Sequence, residues 1–167
     1  MTEPSMIEIV PGPGDAEREA ILAPLVAHND AAAGVTERHQ VAVVIRDGEG
    51  AIVGGLWGTV GYRWLFVQYL ALPPESRGRG HGRALMAAAE AEAARLDCIG
   101  VWLDTFSFQA RGFYEKLGYR VFGQIDDYPP GEARFFLSKR IGERGGAAGA
   151  VDPSASQQRH APRVGTA

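Results

Sequence analysis

Apolar and polar positions alternate in short blocks along this chain, and the period changes from block to block. From Gln40 onward, Val41, Val43 and Ile45 fall on every second residue, the period of a strand buried on one face. Asp47-Gly48-Glu49-Gly50 interrupts the alternation and an apolar run from Ala51 to Gly61 follows, a hairpin signal. A third run, Trp64 to Leu72, is long and aromatic and stops at Pro73-Pro74. The three predict consecutive antiparallel strands. The spacing then becomes helical, with Leu85, Met86, Ala89, Ala93 and Leu96 on one face. Cys98 to Thr105 predicts another strand, Val101 and Leu103 on one side and Trp102 and Asp104 on the other. Ala110, Phe113, Tyr114 and Leu117 form the stripe of a short helix, which Gly118 is placed to end. Tyr119–Ile125 and Ala133–Ser138 predict two last strands around a turn at Tyr128-Pro129-Pro130-Gly131.

The ends are less regular. Met6–Val10 is a short apolar run that predicts a first strand. Asp15 stands where a helix N-cap would, ahead of an Ala/Glu/Leu-rich stretch that Pro24 is expected to kink or split. His28 to about His39 is small and polar and reads as a mobile connection. From residue 142 to 167 the chain is Gly, Ala, Ser, Gln, Pro and Arg with little apolar content, which predicts a disordered tail behind one domain at 1–141.

Composition narrows the function. A chain of 167 residues buries a core without disulfides or metals. Its formal net charge of -3 gives no global case for nucleic acid or an anionic membrane, so any anion site has to be local. Cys98 is the single cysteine and no Cys/His cluster has zinc-ligand spacing, so no metal is expected. No basic region followed by an apolar run marks a signal peptide, and no apolar stretch spans a bilayer. A cytoplasmic setting is the expectation.

The local anion site is conspicuous. Arg77-Gly78-Arg79-Gly80-His81-Gly82-Arg83 lies between a strand and a helix. The first N–H groups of a helix lack internal partners and sit at the positive end of its dipole. Glycines let the backbone come close to an anion, and arginines add bidentate phosphate donors. The turn lacks the Gly-Lys-Ser/Thr ending of a P-loop. It also fails G-x-G-x-x-G, since Arg83 and Leu85 fall where the last glycine belongs. Taken alone it leaves three readings open: a polyphosphate ligand, a dinucleotide with Asp104 as ribose-binding acid, or a solvated arginine cluster at a helix start.

With its flanks, Leu70-Ala71-Leu72-Pro73-Pro74-Glu75-Ser76 before and Ala84-Leu85 after, the segment resembles the central motif of the GCN5-related N-acetyltransferase superfamily, Gln/Arg-x-x-Gly-x-Gly/Ala. Arg77, Gly80 and Gly82 meet it. A second motif of that family is matched by Ala110-Arg111-Gly112-Phe113-Tyr114-Glu115-Lys116-Leu117-Gly118-Tyr119. The resemblance spans roughly residues 40 to 140. It implies an α/β fold of the α+β type, a splayed, mixed but mostly antiparallel sheet flanked by helices.

The resemblance implies acetyl-CoA as co-substrate. Leu70 and Leu72 would meet its pantetheine through their main chain, and Arg77, Gly78, Arg79, Gly80, His81, Gly82 and Arg83 would hold the pyrophosphate. Tyr114 matches the family's usual general acid, and Ser107 stands seven residues before it, where many relatives carry Asn, as a further cofactor contact. Relatives often place a Glu on the central strand as base. Here Gln68 occupies the comparable place and cannot take a proton, which leaves Asp104, Asp127 or a water chain. Trp57, Tyr62, Tyr69, Phe106 and Tyr128 are candidates for an acceptor pocket, and Asp126 and Asp127 for attracting a cationic amine. The expected reaction is direct transfer of acetyl to a primary amine, borne by a small molecule or by a peptide or protein, in a ternary complex. A non-catalytic acyl-CoA-binding module is the alternative. An edge strand near Ala133–Ser138 suggests a homodimer.

Overall fold

The computed structural model describes residues 6–142; the tail expected from 142 onward therefore lies, but for its first residue, outside the described residues. Helix α1 (Asp15–Ala33) precedes strands β1 (His39–Arg46), β2 (Ile52–Gly61) and β3 (Trp64–Ala71). A single 3-10 turn, Pro74–Ser76, leads into α2 (His81–Arg95), followed by β4 (Gly100–Phe106), α3 (Arg111–Lys116), β5 (Arg120–Asp126) and β6 (Ala133–Arg140). The six strands form one sheet in the order β1-β2-β3-β4-β6-β5. Every neighbouring pair is antiparallel except β3 with β4.

That parallel pair is the seam of the molecule. It runs only from Trp64 opposite Gly100 to Val67 opposite Leu103. Beyond it the two strands leave each other's register, so residues 68–71 of β3 have no partner on the β4 side. Gln68 sits at the parting point. The β2–β3 register passes from Trp57 opposite Tyr69 to Gly58 opposite Val67, so Gln68 is the extra residue of a bulge. A bulge bends its strand and adds twist, which turns β3 away from β4 here.

Alternation assigns the two faces of the sheet. Leu65 and Val67 on β3, Val101 and Leu103 on β4, and Phe135 and Leu137 on β6 form the core with Leu85, Met86, Ala89 and Ala93 of α2. The other face carries Trp64, Phe66, Trp102, Asp104, Arg134 and Phe136, all partly buried. Under the core, Glu90 of α2 accepts hydrogen bonds from the Tyr119 hydroxyl at 3.0 Å and from Lys139 Nζ at 2.6 Å. Burial and the Glu90 charge push the Tyr119 hydroxyl's pKa far up, so it stays a donor.

The N-terminal part departs from the sequence expectations. Met6–Val10 forms no strand; Ile7 is 97% exposed, because no strand edge takes up its backbone. The helix is capped at Gly14, whose N–H donates to Glu17 Oε2 at 2.9 Å, so Asp15 is its first residue rather than its cap. Pro24 stays inside the helix without ending it, and His28–Ala33 is helical rather than a connection. At the other end, Ala133–Arg140 lies between β4 and β5 and is not an edge; β5 is.

Candidate active site

The Gly-rich turn meets the physical needs of an anion cradle. Gly78 and Gly80 have φ of 72° and 84°, and a Cβ at either would meet nothing within 4 Å, so the turn is bare on its outer side. Gly80 caps α2, and its carbonyl accepts the first helical bond, from Ala84 N–H at 3.1 Å. The N–H groups of His81, Gly82 and Arg83 make up the open first turn that follows. Gly82 is buried on the inner side, where a Cβ would lie 3.1 Å from Phe113 Cζ and 3.4 Å from Leu72 Cδ1. The absent side chain thus lets α2, α3 and the end of β3 close together. Arg77 Nε donates to the Leu72 carbonyl at 3.4 Å and ties the turn to the strand, while Arg79 and Arg83 are exposed.

Tyr114 comes from α3, whose side chains close the core below the parting strands. It is 9% exposed and stacks edge-on with Phe113 and Tyr119 at 5.0 and 6.2 Å between ring centroids. Its hydroxyl makes no hydrogen bond among the described residues, yet none of their buried polar side-chain atoms is sealed away unpaired. The hydroxyl therefore reaches solvent-accessible space. Burial first, and the Asp104 charge second, raise its pKa above the ordinary tyrosine value.

Gly82 packs against Phe113 and Leu72, so the Gly-rich turn, α3 and the end of β3 are neighbours, and Leu70 lies on the stretch of β3 past its last pair with β4. Ser107 is engaged elsewhere: its hydroxyl donates to Glu132 and accepts the Ala133 N–H at 3.0 Å, closing the base of the β5–β6 loop. Gln68 is exposed at the opening and accepts from the Thr59 hydroxyl at 3.0 Å. It borders a groove of about 290 Å³ that Thr59, Phe66 and Trp102 also line.

Arg134, which the sequence reading passed over, ties together three residues that reading named, Asp104, Phe106 and Tyr128. Arg134 Nε on β6 donates to Asp104 Oδ1 at 2.7 Å, one terminal nitrogen forms an ion pair with the same oxygen at 2.7 Å, and the other terminal nitrogen donates to the Tyr128 hydroxyl at 3.1 Å. Its guanidinium also lies over the rings of Phe106, Tyr128 and Phe136 at 5.2, 5.2 and 5.7 Å. The available signal was alternation: Asp104 falls between Trp102 and Phe106, and Arg134 two residues before Phe136, on the non-core side of their strands.

Comparison with known proteins identifies the family and the fold. The model of the Acetyltransferase (GNAT) family matches residues 11–119. The chain belongs to that family. It is an acetyltransferase, and acetyl-CoA is its acetyl donor. An acetyltransferase of Agrobacterium fabrum (strain C58 / ATCC 33970), Atu2258, is 37% identical over 128 residues, 76% of this chain and 93% of that one. The blasticidin-S acetyltransferase of Streptomyces morookaense is 44% identical over 93 residues, 55% of this chain and 68% of that one. Among solved structures, an acetyltransferase from Bacillus cereus ATCC 14579 superposes with a TM-score of 0.73 at 31% identity, covering 80% of this chain and 98% of that one. The family assignment removes the dinucleotide reading of the Gly-rich turn. No helix of the described residues is long and apolar enough to cross a membrane.

Proposed function

We propose that this GNAT acetyltransferase acetylates a primary amine by direct attack, with Tyr114 as the general acid and the turn from Arg77 to Arg83 as the diphosphate cradle. The carrying observation is the Tyr114 hydroxyl: it is nearly buried, makes no hydrogen bond among the described residues, and feels the charge of Asp104, the first β4 residue past the β3 pairing. Bound in the opening, acetyl-CoA supplies an activated acetyl thioester. The open N–H groups at the start of α2, with Arg79 and Arg83, suit its phosphates. The unpartnered edge of β3 at Leu70 suits its pantetheine amides and offers a backbone donor near the reacting carbonyl. The leaving sulfur needs a proton, and Tyr114 holds one on an oxygen whose raised pKa keeps it there through neutral pH. Acceptor and donor meeting in one cleft lowers the entropic part of the barrier.

The relative named for acetylating blasticidin S makes that compound the first acceptor to try. A cytoplasmic setting fits the single, buried, unpaired Cys98. The test is thiol release from acetyl-CoA across blasticidin S, polyamines, aminoglycosides, amino acids and lysine peptides. Turnover with one amine class supports the reading. Stabilisation by CoA without turnover of any amine replaces it with a binding module, for which the proton-incapable Gln68 is the motivating feature.

A further inference from the structure

Asp104 occupies a special place on β4. It is the first residue beyond the last β3–β4 pair, Val67 with Leu103, so it lies at the parting of the strands. Its side chain is 15% exposed, on the face of the sheet opposite α2. The hydrogen bond and the ion pair from Arg134 both fall on Oδ1. Oδ2 makes no hydrogen bond among the described residues, and since none of their buried polar side-chain atoms is left unpaired, it reaches solvent-accessible space. Other carboxylates of this part of the chain are committed: Glu132 to Ser107, Asp127 to the Gly131 N–H, and Glu115 to Arg111.

The surroundings explain why one oxygen stays free. Arg134 is held over Phe106, Phe136 and Tyr128 and braced by the Tyr128 hydroxyl, so it cannot swing to bind both oxygens side by side without leaving those rings. Asp104 also acts on Tyr114, since its charge contributes to holding the phenol protonated.

From this geometry we infer that Asp104 docks the protonated amine of the acceptor through Oδ2, with Arg134 and Tyr128 as positioning residues that fix the carboxylate. The inference rests on the amine-acetylation reading above and narrows it. The acceptor is a cationic amine, and its body lies along the ring-lined face of Phe106 and Tyr128. The docked nitrogen then lies on the face of the sheet opposite α2, at the point where β3 and β4 part. The work of Asp104 is docking and orientation of the ammonium group, which gives up a proton to solvent water before the neutral nitrogen attacks the thioester.

The test separates docking from turnover. Ligand-observed NMR compares benzylamine hydrochloride with benzyl alcohol, each at millimolar concentration, on the wild-type protein saturated with CoA. Benzylamine is expected to bind preferentially. Asp104→Asn is expected to remove that preference, a loss of roughly 10- to 100-fold in affinity, as for a hydrogen bond between charged groups. Asp104→Glu is expected to recover part of it, and CoA affinity is expected to be unchanged in both. Arg134→Lys keeps the charge and loses the fork; it is expected to raise the KM for the acceptor that the thiol assay identifies while leaving the KM for acetyl-CoA in place. Equal binding of amine and alcohol by the wild-type protein overturns the inference even where acetyl transfer is robust. A preference that survives Asp104→Asn overturns it as well. Absence of acetyl transfer with the amine preference intact instead removes the catalytic reading and leaves Asp104 as a cation site.

Discussion

At one end of the β3–β4 seam, Gly100 lies so close to Trp64 that a Cβ would stand 2.3 Å from the indole ring; at the other, Gln68 and Asp104 have left each other's register. The same two strands are thus closed to the limit of contact and then opened within four residues. The closed end is made by removing a side chain, and the open end by inserting a residue. Close packing gives the closed end little tolerance. The open end gives up strand pairing and leaves residues 68–71 of β3 without a partner on the β4 side, where the proposed reaction is housed. Stability and chemistry are therefore expected to respond to different residues along one seam.

The largest effect expected is at the open end. Tyr114→Phe removes the acid without changing the packing, and kcat is expected to fall by about 10²- to 10⁴-fold while calorimetry finds CoA bound as before. The same hydroxyl sets the alkaline limb. It works only when protonated, and both burial and Asp104 favour the proton, so activity is expected to persist past the ordinary tyrosine pKa of about 10 and decline above it. A pH profile whose alkaline limb is unchanged in Tyr114→Phe counts against the role.

At the closed end, Gly100→Val forces a branched side chain into the Trp64 ring. A loss of about 3 kcal/mol in denaturant unfolding is expected, with activity reduced only as far as folded protein is lost. Full stability in that variant shows that the seam is looser than its geometry. A smaller effect is expected at the cradle. Gly80→Asp places a Cβ at a φ of 84° and a negative charge at the start of α2, and CoA is expected to bind roughly tenfold more weakly with the fold retained. The smallest effect belongs to α1, which buries none of its residues: Leu25→Ser is expected to change unfolding free energy by less than about 0.5 kcal/mol.

Much of this was legible along the chain. Val101 and Leu103 alternate with Trp102 and Asp104, and the two sets do face opposite sides of the sheet. The stripe of Leu85, Met86, Ala89 and Ala93 packs as its spacing requires, because helical period and burial report the same face. Gly118 follows the end of α3 with a φ of 90°. The N-terminal region was legible only in part. Met6–Val10 has the composition of a strand, but a strand needs a neighbouring edge, and composition does not supply one. Pro24 was expected to interrupt α1, yet the helix continues through it.

What the sequence determined by itself was local: where glycines permit a left-handed turn, where apolar periods make a strand or a helix, and which two motifs mark the family. Those are properties of neighbouring residues, set by sterics and spacing. The tertiary structure alone decided that β3 and β4 part after Val67, that Ser107 turns to Glu132, that Ala133–Arg140 lies inside the sheet, and that Arg134 meets Asp104 from thirty residues away. Such pairings depend on which strand lies beside which, and adjacency between distant segments is settled by the packing of the whole sheet.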